Sequence, residues 1–278
     1  MISGGGERGR LLALWGALMA LLLVVVALAA PWLAPYDPLK AVADSFGAPF
    51  APAPPYLLGT DELGRDVFSR IVFGARISLT VALTATLLTL LIGVTVGVCA
   101  GYFGNWVDVV LMRLTDVVLS FPALLLAIAL AALFPPGLES ILVVIALVSW
   151  TGVARTVRAE VMSLREREFI AAARVLGVPP LRLIARHVLP NVLPTIIVMG
   201  ALSTCNTVLL DAGLSYLGLG VPVPIPSWGR MISDSQMYYR VAPWLMIFPG
   251  LAIAYTVVAF NFIGYGLLAL TGRRHGGS

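Results

Sequence analysis

The chain has 278 residues, of which 59% are hydrophobic and 12% charged, with a formal net charge of +4. Soluble domains carry about 25% charged residues, so this composition excludes an ordinary water-soluble enzyme; apolar runs long enough to cross a ~30 Å hydrocarbon core point to a polytopic α-helical membrane protein. The strand alternation of a membrane barrel is absent, and arginines in short interhelical loops make the basic balance a matter of membrane orientation, not of nucleic-acid binding.

Residues 1–10 are polar, glycine-rich and basic, with Arg8 and Arg10, and the apolar run Leu11 to Leu33 is long enough to span. A cleavable signal peptide is the rival reading, with Ala27-Leu28-Ala29 as its site; the length of the run favours an uncleaved first helix. Residues 34–76 form a polar, proline-rich segment, and within it GTDELGRDVFSR (residues 59–70) reads as a turn followed by an amphipathic helix with an Asp or Thr cap. The second span is expected from Ile77 to Ala100. Its Gly93, Gly97 and Gly101 recur at four-residue spacing, a face that another helix can approach closely. Cys99 and Cys205 fall inside apolar runs and read as small buried residues, not as a disulfide or a metal pair.

After a short turn at 101–106, a third span is expected from about 107 to 133, carrying Asp108, Arg113 and Asp116. Arg113 and Asp116 are three apart, share a helix face and can form an intramembrane ion pair. A structural pair near the membrane surface and a role in transport both fit them. A second turn at 134–140 precedes the fourth span, about 141 to 157.

The stretch Glu168 to Pro194, EFIAAARVLGVPPLRLIARHVLPNVLP, lies between two apolar segments, yet has helix signals of its own. Phe169, Ala172, Ala173 and Leu176 recur at helical spacing. Gly177 is suited to the residue after a helix end, and Pro179 and Pro180 to restarting the chain. A second short helix, Pro180 to Val188, is expected to end at Leu189-Pro190. On composition alone this could be an amphipathic connector. The fifth span is expected over 192–210. A second outer segment, 211–243, follows with LSYLGLG, VPVPIP and PSWG, where Ser227 can cap a short helix. The sixth span, about 244 to 270, runs into Arg273-Arg274.

The order Ala172-Ala173-Arg174, Gly177, Arg186-His187-Val188-Leu189-Pro190-Asn191 resembles the cytoplasmic EAA loop of permease subunits of ATP-binding-cassette (ABC) importers, in the dipeptide, oligopeptide and nickel branch. GTDELGRDVFSR and the LSYLGLG and PSWG strings resemble the same branch, in the same order. Two departures are visible: Ala171 stands at the motif's glutamate, with Glu168 the nearest acid, and Asp211 stands where the family more often has Glu. The resemblance covers residues 11 to 266. It implies an all-α type I importer permease fold with six transmembrane helices, whose coupling loop docks into an ATPase cleft through Glu168, Phe169, Ala172, Ala173, Arg174, Gly177, Leu189 and Pro190. It further implies a second permease subunit, two ABC ATPase subunits and an extracytoplasmic solute-binding protein as partners, in contact with membrane lipid and without nucleic acid. The mechanism implied is alternating access driven by ATP.

The chain lacks a Walker A loop: its single lysine, Lys40, lies between Leu39 and Ala41, so ATP and Mg belong on the partner ATPase and no cofactor is expected in this chain. Its two histidines, His187 and His275, lack zinc-ligand spacing, and no G-x-S-x-G pattern is present, so an enzyme is not expected. The arginines Arg155, Arg158, Arg165, Arg167, Arg174, Arg182 and Arg186 outnumber the acids of their loop, whereas segments 34–76 and 211–243 are near balance. The positive-inside rule then predicts both termini and this loop in the cytoplasm of a bacterial or archaeal cell, with the protein multi-pass in its cytoplasmic (inner) membrane. The expected organisation is a tail at 1–10, a first helix at 11–33, an extracytoplasmic segment at 34–76, a five-helix core at 77–270 with coupling loop 158–190 and extracytoplasmic segment 211–243, and a tail at 271–278. Cargo is expected to be a dipeptide or oligopeptide. An importer of the same architecture for nickel or another small solute is one alternative, and an ATPase-independent secondary transporter is the alternative of another class.

Overall fold

The computed structural model describes residues 4–43 and 47–271. Among these the backbone is helical or looped, with two isolated bridges, Ala53 to Tyr56 and Thr60 to Asp66, and no strand. Inside a bilayer no water is present to satisfy backbone N–H and C=O groups, and a helix satisfies them within one segment.

The first helix, α1 (Gly4–Leu28), begins inside the stretch read as a tail. It breaks at Ala29 before a single turn, α2 (Ala30–Leu33), because Pro31 has no N–H to extend the ladder. Helix α3 (Val67–Phe103) follows the outer segment. Asp66 caps it, accepting the Ser69 N–H at 2.7 Å. The second span is thus longer than expected: the amphipathic stretch before Ile77 and the span itself are one helix of 37 residues. Gly74, which could have ended a helix there, instead makes room for the Trp228 ring, 3.1 Å from where its Cβ would lie.

Gly104, at φ +65°, turns the chain into α4 (Asn105–Leu119). The third span expected over 107–133 is not one continuous helix: α4 and α5 (Ala123–Ala131) meet at 88°. Pro122 offers no N–H and restricts Phe121 before it, while the Ser120 hydroxyl donates to the Val117 carbonyl at 2.7 Å. The bent pair still carries the chain from one end of the bundle to the other. It starts next to Tyr102, and Ala131 at its far end lines a cleft with Gly137, Gly218 and Leu219.

Helix α6 (Leu138–Arg165) returns to the Tyr102 end. There α7 (Glu168–Val175) and a short α8 (Pro180–Leu183) form the loop, and α9 (Leu189–Tyr216) crosses again. The chain ends its described course with α10 (Trp228–Asp234), a 3₁₀ turn and α11 (Trp244–Thr271). Five stretches are long and apolar enough to cross a membrane: α1 from Glu7, α3, α6, the run Pro180–Tyr216, and α11 from Trp244 to Leu270. Taken as one broken span, the bent α4–α5 pair brings the number to six.

The most extensive packing joins α3 to α6. A Cβ on Gly93 would lie 2.7 Å from Val153 Cβ, one on Gly97 2.7 Å from the Ala154 carbonyl, and one on Gly101 2.8 Å from the Arg158 carbonyl. Helix α1 lies along α11, with Gly9 against Ala269 and Gly16 against Ala259. Leu267 of α11 lines a groove with Pro190 and Pro194, so the described ends of α1 and α11 lie at the α7–α8 end. The opposite end is closed by Val67, Met231, Ala242 and Leu245, packed with Leu58 and Trp244. Arg273 and Arg274, and most of the tail expected at 271–278, lie outside the described residues.

At that opposite end the GTDELGRD string ties the outer segment to α3. Asp61 accepts the N–H groups of Leu63 (3.0 Å) and Arg65 (2.8 Å), and its second oxygen takes Arg65 Nε at 2.6 Å. Buried Arg70 lies 3.3 Å from Asp61 and donates to the Pro38 carbonyl. Burial, together with the neighbouring Asp61 charge, raises the Glu62 carboxyl above its ordinary value.

The α3–α6 contact predicts a contrast between two glycines. Gly97→Leu, forced onto the Ala154 backbone, is expected to destabilise the chain by about 3 kcal/mol or more. Gly152→Ala, whose Cβ meets nothing within 4 Å, is expected to stay near neutral. Thermal unfolding of the purified proteins in detergent compares them, and equal melting temperatures would refute the close-packing account.

Candidate functional site

The loop between α6 and α9 is built from its hydrogen bonds upward. The Arg167 N–H donates to the Leu164 carbonyl at 3.0 Å, and α7 starts at Glu168, where a carboxylate complements the positive end of the helix dipole. At about 100° per residue, Ile170, Ala173 and Arg174 share one side of α7, while Phe169, Ala172, Val175 and Leu176 share the other. Ile170 and Ala173 are buried in a cluster with Val98, Tyr102, Val157, Val161, Leu183 and Val188. The other side is open: Val175 is 89% exposed, Leu176 82% and Phe169 44%; beyond the turn, Leu181 of α8 is 77% exposed.

The helix end follows from glycine. Gly177 has φ +75°; its N–H donates to the Arg174 carbonyl at 2.9 Å, and the Val178 N–H donates to the Ala173 carbonyl at 3.1 Å. This is the Schellman pattern, which satisfies carbonyls that a helix end leaves bare. Pro180 then opens α8.

The second loop helix does not end at Leu189-Pro190. A π turn, Ile184–Val188, leads without a break into α9, the Leu189 N–H donating to the Ile184 carbonyl. The wider turn absorbs Pro190, which has no N–H of its own, and the Asn191 side chain donates to the His187 carbonyl at 2.6 Å. Loop and fifth span are therefore one helical run from Pro180 to Tyr216.

These facts sort the residues expected to dock. Glu168, Phe169, Ala172 and Gly177 are at the surface. Ala173, expected on the docking side, faces the chain's own core. Arg174 is exposed, its guanidinium lying 5.5 Å from the centre of the Tyr102 ring. Leu189 packs against the same cluster. Pro190 is exposed, but in a separate groove with Leu193 and Leu267. Val175 and Leu181 are surface apolar residues that the sequence reading missed. Taking Ile170 with Ala173 as the buried pair would have set the helix phase and revealed Val175.

The charges of α4 are also rearranged. Arg113 and Asp116 lie 3.8 Å apart, with Arg113 81% exposed, so the expected pair is loose. The close partner of Asp116 is Arg155 of α6, at 2.6 Å. Asp108 accepts both Nε and Nη2 of Arg158, the latter at 2.6 Å, and these two side chains are mostly buried. Spacing within one helix could not show partners on another. Asp211 of α9 is 3% exposed, one helical turn from Ser215 of the same helix. It stands in a buried polar seam where the Thr86 hydroxyl donates to that of Thr207 at 3.3 Å.

Residues 93–276 match the family described as the binding-protein-dependent transport system inner membrane component. The dipeptide transport system permease protein DppC of Alkalihalophilus pseudofirmus is 44% identical over 216 residues, 78% of this chain and 71% of that protein. The di/tripeptide transport system permease protein DppC of Pseudomonas aeruginosa is 42% identical, covering 92% and 86%. The glutathione transport system permease protein GsiD of an Escherichia coli strain is 38% identical, covering 94% and 86%. A solved structure of the MetNI methionine ABC transporter, in inward facing conformations, shares the fold with a TM-score of 0.60 at 18% identity, over 71% of this chain and 94% of that one.

Two predictions come from this geometry. Ala173→Asp places a carboxylate in the loop's apolar core and is expected to destabilise the chain by several kcal/mol, whereas Ala172→Asp, one residue away and exposed, leaves the melting temperature within about 0.5 kcal/mol-equivalent of the parent. Equal effects would overturn the helix phase. For the ion pairs, Asp108→Asn strands the Arg158 charge and is expected to lower the melting temperature clearly. Arg113→Gln is expected to change stability by less than about 0.5 kcal/mol; the reverse ranking would make the Arg113 contact the structural one.

Proposed function

This chain belongs to the family of inner membrane components of binding-protein-dependent transport systems, and from that membership we propose a peptide permease whose α7–α8 loop is its ATPase-docking surface. It is the permease subunit of an ABC importer: a multi-pass membrane protein and not an enzyme, with ATP hydrolysis on a separate subunit. The family decides against an ATPase-independent secondary transporter. Peptide cargo is favoured over nickel because the three relatives above are named for dipeptides, di- and tripeptides, and glutathione.

The observation that carries the docking proposal is the apolar ledge of Phe169, Val175, Leu176 and Leu181 on a polar, arginine-rich loop. Exposed apolar side chains grouped in this way mark an interaction surface, and the ledge lies across α7 from the buried Ile170 and Ala173. A partner ATPase, holding ATP and Mg, grips the ledge. Because α8 continues through the π turn into α9, a push on the ledge reaches the length of a membrane helix without crossing a flexible hinge. A second permease subunit completes the translocation pathway, and an extracytoplasmic binding protein delivers the cargo at the end formed by residues 34–43, 47–66 and 217–243. The α7–α8 loop and both chain ends face the cytoplasm.

Val175→Asp combined with Leu181→Asp is expected to leave insertion and permease pairing intact, to reduce ATPase co-purification about tenfold or more, and to abolish cargo-stimulated hydrolysis. Retention of the ATPase at the parental level, with import unchanged, would remove the ledge as the docking surface. For orientation, cysteines at Ala53 and Pro224 are expected to react with an impermeant reagent added outside intact cells, and one at Glu166 to react only after lysis. Labelling of Glu166 from outside would reverse the assignment.

A further inference from the structure

The loop end of the bundle carries a second feature, on the side of α7 turned away from the ledge. Tyr102 and Phe103 at the end of α3, Arg165 at the end of α6, Arg174 of α7, and Val178 and Pro180 beyond it line an open cleft of about 360 Å³. Arg165 Nη1 donates to the Tyr102 carbonyl at 3.2 Å, and the Arg174 guanidinium lies over the Tyr102 ring. These contacts hold both guanidinium groups at one opening. The other arginines of α6 are used differently: Arg155 is paired with Asp116 and Arg158 with Asp108. Arg165 and Arg174 have no acidic partner among the described residues. A guanidinium carries five N–H donors in a fixed fork suited to phosphate, and one carbonyl and one aromatic face leave most of them unused.

The surroundings of the cleft indicate the source of the anion. Phe103 is 45% and Trp106 74% exposed beside it, and on α4 Val109 and Val110 are exposed as well. Aromatic rings followed by a bare apolar helix face are the arrangement found where a protein passes from headgroup level into the acyl region. Arg174, by its phase on α7, points to this side and not to the ledge that faces a partner protein. We infer that the cleft binds the phosphate of an anionic phospholipid between Arg165 and Arg174, with its acyl chains along the exposed face of α4. Basic pockets between membrane helices are suited to such headgroups. A bound lipid phosphate would offset one of the two positive charges and brace α7 against the end of α3.

The test uses the intact transporter complex in nanodiscs of phosphatidylcholine alone or with roughly a third phosphatidylglycerol, followed by native mass spectrometry of retained lipid. The expected result is selective retention of phosphatidylglycerol, reduced roughly tenfold by the double variant Arg165→Gln, Arg174→Gln and unaffected by Arg240→Gln, which lies between α10 and α11. The double variant Arg165→Lys, Arg174→Lys keeps the charge and is expected to retain the lipid; it carries the test if the glutamine pair fails to assemble. In that case loss of selectivity in the lysine pair, with no salt-sensitive retention in the parent, overturns the proposal. Inorganic phosphate raising the melting temperature as much as phosphatidylglycerol does would make this a free-anion site. Unchanged lipid retention with loss of the ATPase, in the glutamine pair, would make the arginines protein contacts. Either result overturns the lipid assignment.

Discussion

The contact between α3 and α6 is the constraint on which the loop end depends. Within a bilayer, burying apolar surface gives helices no advantage over lipid, and they associate where their backbones can come close enough for dense dispersion contact. Gly93, Gly97 and Gly101 provide that along α3, and Val153, Val157 and Val161 of α6 fill the groove they leave. The contact fixes more than two helices. It brings Tyr102 level with the last turn of α6, where Arg165 holds its carbonyl, and it leaves Arg158 opposite Asp108 of α4. The start of α7 is therefore positioned by membrane packing, before any loop residue contributes.

From that start the loop is stiffened by local chemistry. Ile170 and Ala173 anchor one side of α7 in the bundle, the Gly177 turn satisfies the bare carbonyls, and Pro179 and Pro180 limit the chain that follows. A flexible tether between α6 and α9 would dissipate an applied force. This loop is instead a braced helix, a fixed turn and a helix that continues through a π turn into the membrane. The exposed side of α7 keeps Phe169, Val175 and Leu176 in water, an arrangement that gains stability only when another surface covers it.

At the far end of the bundle charge replaces small residues as the organising device. Asp61, Arg65 and Arg70 form a buried network with Asp234 at its edge, and Asp66 caps α3 beside it. One string thus joins the outer segment, the start of α3 and α10. Charges so enclosed are costly unless paired and hydrogen-bonded, and here the N–H groups of Leu63 and Arg65 supply the additional donors.

The sequence alone was sufficient for everything that depends on composition or on near neighbours in the chain. The membrane class follows from apolar length, the absence of a nucleotide loop from a single misplaced lysine, the end of α7 from Gly177, and a capped helix start within residues 59–70 from the Asp and Thr residues there; that Asp66 is the cap came from the structure. Ordered strings were also enough for the family. What the tertiary structure decided concerns direction and partners between elements. Alanine has no polarity to show which way it faces, so only packing reveals that Ala173 is inside and Ala172 outside. Arg113 lies close to Asp116 in sequence, but Arg155 reaches Asp116 from another helix. Pro122 stands where α4 has already ended and the span bends, whereas Pro190 follows a π turn and Pro194 lies inside α9, both within one helical run. Spacing along a helix records which residues share a face; only the assembled bundle determines what that face meets.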